Sequence, residues 1–272
     1  MQLQGKIAFI TGGGGGIGGG MAQAFAERGM KLILADVDKS YAETMAAPFG
    51  HDAIAVELDV TSLESWSKAR ATAHDRFGTI DVLCNNAGIS TPRATLDEMS
   101  PDLFARVMAV NVTGVYNGIV TFVPEMRERR SGHIVNTSSI NGLVAYQTLA
   151  AYSASKFAVD GLSAALRDEL APFGIGVSVL YPGLTRSRMS LSNKSGANTN
   201  EIPRAVLEAN MMDPVWIGRA VVKAIEENSP HIISHPGYLP AVEQRFARIT
   251  AAFGEPAQPG YRTGVTATKA TG

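Results

Sequence analysis

A chain of 272 residues that is 45% hydrophobic and 18% charged carries enough apolar side chain for one sizeable core, and a single α/β domain is the default at this length. Its formal net charge of -1, with Lys and Arg spread along the chain, leaves no electrostatic footprint for nucleic acid or an anionic membrane surface. One cysteine, Cys84, excludes an internal disulfide, the N-terminus runs straight into "KIAFIT", and no apolar run approaches the roughly 18 residues of a membrane span, so a soluble, cytoplasmic protein is expected.

Residues 6–11, "KIAFIT", are short, apolar and β-branched, which suits a buried strand of a parallel sheet. Eight glycines in ten residues follow, "TGGGGGIGGG" at 11–20. Ile17, Met21, Ala24 and Phe25 then recur at helical spacing up to a stop at Gly29, and "KLILAD" at 31–36 reads as a second strand. Strand, glycine-rich turn, helix and strand within about 30 residues is the unit in which such a turn cradles a dinucleotide, so the run is read as a phosphate loop and not as a linker. The alternation continues with strands at 52–60, 80–88, 132–139, 174–183 and 231–234. Helices fall between them at 62–77, Pro101–Arg129, 150–173 and Pro214–Glu227. The fold predicted is a single Rossmann-type, doubly wound parallel sheet of about seven strands with helices on both faces. One domain is expected over residues 1–253, with the polar, Ser- and Asn-rich stretch 187–212 as a substrate lid and 254–272 as a flexible tail.

The glycine run satisfies G-x-G-x-x-G in more than one register, for example Gly13, Gly15, Gly18 or Gly14, Gly16, Gly19. Asp36, at the end of the second strand, stands eighteen positions after Gly18, close to the spacing at which a carboxylate meets the adenosine ribose hydroxyls. That carboxylate would repel a 2′-phosphate, and neither Val37 nor the glycine run supplies a cation, so NAD is expected over NADP. Of seven tyrosines only Tyr152 has a lysine four residues on, Lys156, and i, i+4 places both on one helix face. A free phenol titrates near pH 10, so proton transfer near neutrality needs roughly three units of help, about 4 kcal/mol, from nearby positive charge. His231 and His235 are also spaced i, i+4, but on a strand that spacing is too long for two metal ligands, and no metal site is expected. Cys84, in an apolar strand, reads as a small buried hydrophobe.

Together "TGGGGGIG" at 11–18, "NNAG" at 85–88, "NVTG" at 111–114, "SS" at 138–139, "YSASK" at 152–156 and "YPG" at 181–183 resemble the short-chain dehydrogenase/reductase family over roughly residues 5–235. The resemblance implies that Gly12, Gly16, Ile17 and Gly18 form the cofactor loop. It places Asp36 on the ribose, Asp59 and Val60 beside the adenine, and Asn86, Ala87 and Gly88 in a turn lining the cofactor. It also implies a complete tetrad: Asn111 as proton relay, Ser139 holding the substrate oxygen, Tyr152 as acid/base, and Lys156 lowering the phenol pKa and binding the nicotinamide ribose. Pro182, Gly183, Thr185 and Ser187 fall where the family contacts the carboxamide and pyrophosphate, with Thr185 polar where an apolar residue is usual. The implied activity is hydride transfer between nicotinamide and a secondary alcohol or ketone. The implied assembly is a homodimer or homotetramer. The extended branch of sugar-nucleotide epimerases and dehydratases, which retain NAD, and a non-catalytic cofactor sensor of the same fold are the alternatives.

Around the reactive end the sequence offers Ile140, Leu143, Val144, Tyr146, Met189, Leu191, Met211 and Met212, a set suited to a hydrophobic or aromatic alcohol. Arg93, Arg186 and Arg188 leave a carboxylated substrate open. "NGIVTFVPEM" and "SGHIVNTSS" are similar to family members that oxidise bulky aromatic secondary alcohols, including benzylic positions of lignin fragments.

Overall fold

Of the 272 residues, the computed structural model describes 1–192 and 211–254; the side chains of 191 and 192 lie outside that description. Seven parallel strands stand in the order β3-β2-β1-β4-β5-β6-β7: β1 Ile7–Thr11, β2 Lys31–Asp36, β3 Ala53–Glu57, β4 Val82–Asn85, β5 Gly132–Thr137, β6 Ile175–Tyr181 and β7 His231–Ile233. The strand order reverses between β1 and β4, so the crossovers on either side diverge and open a crevice at the carboxyl edge. Among the described residues the helices are α1 Gly16–Ala26, α2 Lys39–Ala46, α3 Leu63–Phe77, α4 Pro101–Met108, α5 Gly114–Arg129, α6 Ala150–Leu170, α7 Arg188–Ser192, α8 Pro214–Glu227 and α9 Leu239–Thr250. The chain divides into two compact units, Met1–Pro236 and Gly237–Gly272; α9 is the helix of the second.

Strand side chains alternate between two fully covered faces. Ala8 and Ile10 of β1, Leu32 and Leu34 of β2, and Val82 and Cys84 of β4 pack with α1 and α8. Phe9, Ile33, Leu83 and Ile134 point the other way onto α3, α5 and α6. The second core centres on Phe9, Trp66 and Phe122, with ring centroids 5.1–6.1 Å apart. On the first face α1 and α8 cross so closely that a Cβ on Gly20 would lie 2.2 Å from the Pro214 carbonyl oxygen, and one on Gly218 would lie 2.1 Å from that of Gly20. The end of the glycine run therefore serves helix packing. Burial also pushes the Cys84 thiol above its ordinary range, as befits a core residue.

Several elements differ from the sequence reading. The stretch Pro101–Arg129 is interrupted by a π turn at Ala109–Thr113, where i→i+5 bonding inserts an extra residue. Length and composition alone would let this stretch cross a membrane, contrary to the expectation that no run approaches that limit; 44% of its most apolar window is buried inside the protein. α6 ends at Leu170 and tightens into a 3-10 turn at Ala171–Phe173. α2 and α9 were not anticipated. Residues 193–210, most of the expected lid, and 255–272, almost all of the expected tail, lie outside the described residues.

His133 of β5 is buried, with its Nε2 2.8 Å from Ser178 Oγ. Burial first, and the Arg167 charge second, push its imidazole down to about 3. The folded state thus keeps it neutral, whereas the unfolded chain binds a proton below about pH 6.5. Stability falls by about 1.4 kcal/mol per pH unit as pH drops from 6.5 toward 3. Urea unfolding of His133→Gln between pH 7 and 4.5 is expected to show this slope reduced by one proton; an unchanged slope would assign acid sensitivity elsewhere.

Candidate active site

The crevice begins at the end of β1. Gly12 and Gly15 have φ of +63° and +145°, conformations closed to most side chains. A Cβ on Gly18 would sit 2.2 Å from the Gly12 carbonyl oxygen, so the first turn of α1 packs directly on the loop. No side chain caps the N-terminus of α1, and its first turn carries no acidic residue, which leaves N–H groups and the helix dipole facing the crevice. The loop is tied to β2 through Asp36: the Gly14 N–H donates to Oδ2 at 3.0 Å and the Asp38 N–H to Oδ1 at 3.2 Å. A carboxylate has about four acceptor positions, so Asp36 keeps capacity for ribose hydroxyls. Across the switch point the N–H groups of Asn86 and Ala87 both donate to Thr11 Oγ1 at 2.9 Å.

A cleft of about 600 Å³ runs from there along the carboxyl edge. Its walls include Gly12, Gly16, Ile17, Asp36, Asp59, Val60, Asn86, Ala87, Gly88, Tyr152, Lys156, Pro182, Ser187 and Met189, all proposed from sequence. Of the sequence candidates for the adenine side, Asp59 Oδ1 caps its own turn by accepting from the Thr61 N–H and hydroxyl at 2.9 and 2.7 Å. The glycine loop, the uncapped helix and the unfilled acceptor capacity of Asp36 fit a dinucleotide cofactor.

At the far end α6 presents Tyr152 and Lys156 one turn apart, with Lys156 Nζ 5.6 Å from the Tyr152 ring centroid. Burial pushes the Tyr152 phenol above its ordinary range, and a hydrogen bond with the Ser139 side chain opposes that. Ser139 leaves the end of β5 extended and accepts from the Asn141 N–H at 3.1 Å. Lys156 is buried, donates to the Thr137 carbonyl at 2.9 Å, and is pushed by desolvation down to about 8. Ser138 also lines the cleft, but its hydroxyl is taken up by donating to the Lys156 carbonyl at 2.8 Å, which braces the helix.

Asn111 lies in the π turn behind this site. Its Oδ1 accepts from the Ile89 N–H at 2.8 Å, and its Nδ2 donates to the Ile89 carbonyl and Ser155 Oγ, each at 2.9 Å. A Cβ on Gly88 would come within 3.2 Å of Asn111 Oδ1 and 3.4 Å of Lys156 Nζ, so only glycine backbone separates the two side chains.

Other candidates stand away from the cleft wall. Thr185 is buried, its hydroxyl donates to the Gly183 carbonyl at 3.1 Å, and it bridges to Met212. The Gly183 N–H donates to His235 Nδ1 at 3.0 Å, and His231 Nδ1 lies 3.3 Å from the Tyr181 hydroxyl, so the two histidines serve different neighbours. Ile140 is buried beside Ser139, Leu143 and Val144 are half-buried, and Tyr146 is 37% exposed. Met212 packs into the first core, and Met211 is buried with its Sδ 3.7 Å from Ser190 Oγ; neither lines the cleft. The Leu191 side chain lies outside the described residues. Arg186 pairs with Asp213. Sequence reasoning missed Arg106 and Val110 in the cleft wall, and it set Arg188 near the reactive end, whereas Arg188 lies beside Asp36. Val110 was signalled by its place beside Asn111; Arg188 carried no local signal for a role at Asp36.

A family model described as short chain dehydrogenase matches residues 6–198. A trans-4-hydroxycyclohexanecarboxylate dehydrogenase from Sinomonas cyclohexanicum is 37% identical over 220 residues, covering 74% of this chain and 84% of the relative. A 3-alpha-(or 20-beta)-hydroxysteroid dehydrogenase from Mycobacterium bovis is 34% identical over 233 residues, covering 85% and 86%. The structure of a short chain dehydrogenase/reductase from Burkholderia phymatum in complex with NAD superposes with a TM-score of 0.83 at 30% identity, over 95% of this chain and 99% of that one. With this fold, this cleft and these matches, the chain belongs to the short-chain dehydrogenase/reductase family, as an oxidoreductase that acts on hydroxyl or keto groups with a nicotinamide cofactor.

Proposed function

We propose that the chain is an NAD(H)-dependent alcohol dehydrogenase and ketone reductase for a hydrophobic or aromatic secondary alcohol or its ketone. The observation that carries this reading is a cleft whose wall holds Tyr152, Lys156 and Asp36, with Ser139, itself outside that wall, hydrogen-bonded to the Tyr152 phenol. When bound, the nicotinamide supplies or accepts the hydride. Tyr152 takes the substrate hydroxyl proton in oxidation and returns it in reduction, while Ser139 Oγ holds the same oxygen in line. Lys156 supplies the positive charge that a buried phenol needs in order to ionise, and by its likeness to the family's lysine it would bind the nicotinamide ribose. The side chain of Asn111 is committed to Ile89 and Ser155, so its part in proton relay falls to its main chain.

Ile140, Leu143 and Val144 beyond Ser139, with Met189 in the cleft wall, give the substrate side an apolar character. The names of the two relatives, a hydroxycyclohexanecarboxylate and a hydroxysteroid dehydrogenase, agree with a secondary alcohol on a bulky apolar frame. The half-exposed Phe104, Tyr116, Val120 and Leu162 on α4, α5 and α6 support a homodimer or homotetramer built on those helices.

Absorbance at 340 nm with NAD or NADP across secondary alcohols of increasing bulk is expected to show turnover with NAD that rises with substrate size. Silence despite NADH binding would overturn the dehydrogenase reading. Tyr152→Phe is expected to lower kcat by about 10³-fold with NADH binding retained; substantial residual oxidation would exclude the assignment. Asp36→Ala is expected to erode the preference for NAD, which steady-state KM values for both cofactors would reveal.

The buried cation also sets a stability cost. Because the folded pKa of Lys156 lies near 8, below its ordinary 10.5, the unfolded chain binds more protons between these values and stability rises with pH through that window. Below pH 8 the cost is present in full, about 3 kcal/mol. Lys156→Met is therefore expected to be inactive yet more stable than the parent at pH 7 by about 1–3 kcal/mol, allowing for the lost bond to Thr137, with the gain fading toward pH 10.5. Urea unfolding at pH 7 and 10 checks both signs.

A further inference from the structure

The adenosine end of the cleft holds a cation that comes from neither the glycine loop nor the end of β2. Arg188, the first residue of α7, places its guanidinium carbon 3.5 Å from the centroid of the Tyr41 ring, and its Nη2 lies 3.8 Å from Asp36 Oδ2. The group is thus stacked on one side and charge-paired on the other, in the wall of the cleft. Among the described residues that guanidinium donates no hydrogen bond, and 3.8 Å to the carboxylate is a contact of charge only.

The platform beneath it is fixed. Tyr41 stands in the first turn of α2, which Asp38 caps by accepting from the Ser40 N–H at 3.0 Å, and the Tyr41 N–H donates to the Asp38 carbonyl at 3.2 Å. A Cβ on Gly14 would fall 2.6 Å from Tyr41 Cβ and 2.7 Å from Asp36 Oδ2, so the start of the Tyr41 side chain and the carboxylate both crowd the loop at Gly14. Asp38 is a second carboxylate nearby, held below its usual range by hydrogen bonds from Ser40 and, as a minor cause, by the Arg188 charge.

A carboxylate at the end of β2 recognises the ribose 2′-hydroxyl, and an arginine at the same point can accommodate a 2′-phosphate. We infer that Arg188 sets how strongly NADP(H) is excluded: stacked on Tyr41 beside Asp36, it lends a 2′-phosphate the counter-charge that the glycine loop and β2 lack. One cation faces two carboxylates, so NAD(H) remains preferred and NADP(H) is accepted as a second, weaker cofactor. This inference rests on the proposed nicotinamide cofactor and deepens it.

Titration of the full-length protein with NADH and with NADPH, followed by nicotinamide fluorescence, tests it through the ratio of the two affinities. In the parent NADH binds more tightly, and NADPH binding is measurable. Arg188→Gln is expected to lower the NADPH-to-NADH affinity ratio at least tenfold, and Arg188→Lys, which keeps the charge but not the stacked fork, is expected to recover part of it. A ratio that moves less than twofold in Arg188→Gln, or NADH binding weakened as much as NADPH binding, overturns the inference and leaves the dehydrogenase reading intact. A parent that binds neither dinucleotide overturns both.

Discussion

The site depends on how the sheet is held where its strand order reverses. Between β1 and β4 the neighbouring crossovers leave in opposite directions, so the residues just past β4 have main-chain N–H groups without ladder partners. One hydroxyl answers them. Thr11 Oγ1 accepts from the N–H groups of Asn86 and Ala87 and donates to the Cys84 carbonyl at 3.3 Å, which uses all of its capacity. The Asn86 side chain returns the tie by donating to the Thr11 carbonyl at 3.0 Å. With the two strand ends fixed, the glycine loop can fold back onto Asp36 on one side and the Gly88–Ile89 backbone can reach Asn111 on the other. A crevice stays open between them.

The reactive end follows a different rule, in which nearly every polar group is spent on structure so that few remain for chemistry. Ser138 braces the Lys156 carbonyl, Thr137 accepts from Lys156 Nζ, and the Asn111 side chain is engaged by Ile89 and Ser155. The π turn makes this possible, since one inserted residue re-aims Asn111 inward between α4 and α5. The cleft wall there includes the Tyr152 phenol and a lysine whose charge burial disfavours. Hydrophobic burial on both faces of the sheet must carry that cost, which is one reason a site of this kind sits on a doubly covered sheet and not on an open one.

Much of this was legible in the sequence, for identifiable reasons. "KLILAD" is buried on both faces and reads as a strand over the residues that form β2, and Ser62, placed at the start of a helix, caps α3 by accepting from the Ser65 N–H. α2 escaped because in its eight residues only Ala42 and Ala46 are buried, and two alanines make no visible apolar stripe. α9 escaped because none of its residues is buried, so its pattern answers to no core. The π turn was invisible because one extra residue barely perturbs the periodicity of a stretch as long as Pro101–Arg129. The glycine run was read as a single device, whereas Gly12 and Gly15 shape the loop, Gly18 seats the helix on it, and Gly20 admits α8.

The same distinction separates the catalytic from the selective residues. Tyr152 and Lys156 share one helix face, so their geometry follows from the period of the helix and is already present in the spacing of the letters. Cofactor choice is set by the sum of charges at one point in space, and there chain proximity is a poor guide. Reading β2 and the glycine loop alone finds one carboxylate and no cation, yet the connection after β6 brings Arg188 to the same carboxylate. A selectivity argument made from the strand that carries the acid undercounts positive charge whenever a later segment folds back across the cleft. In a doubly wound sheet, every connection at the carboxyl edge is placed to do so.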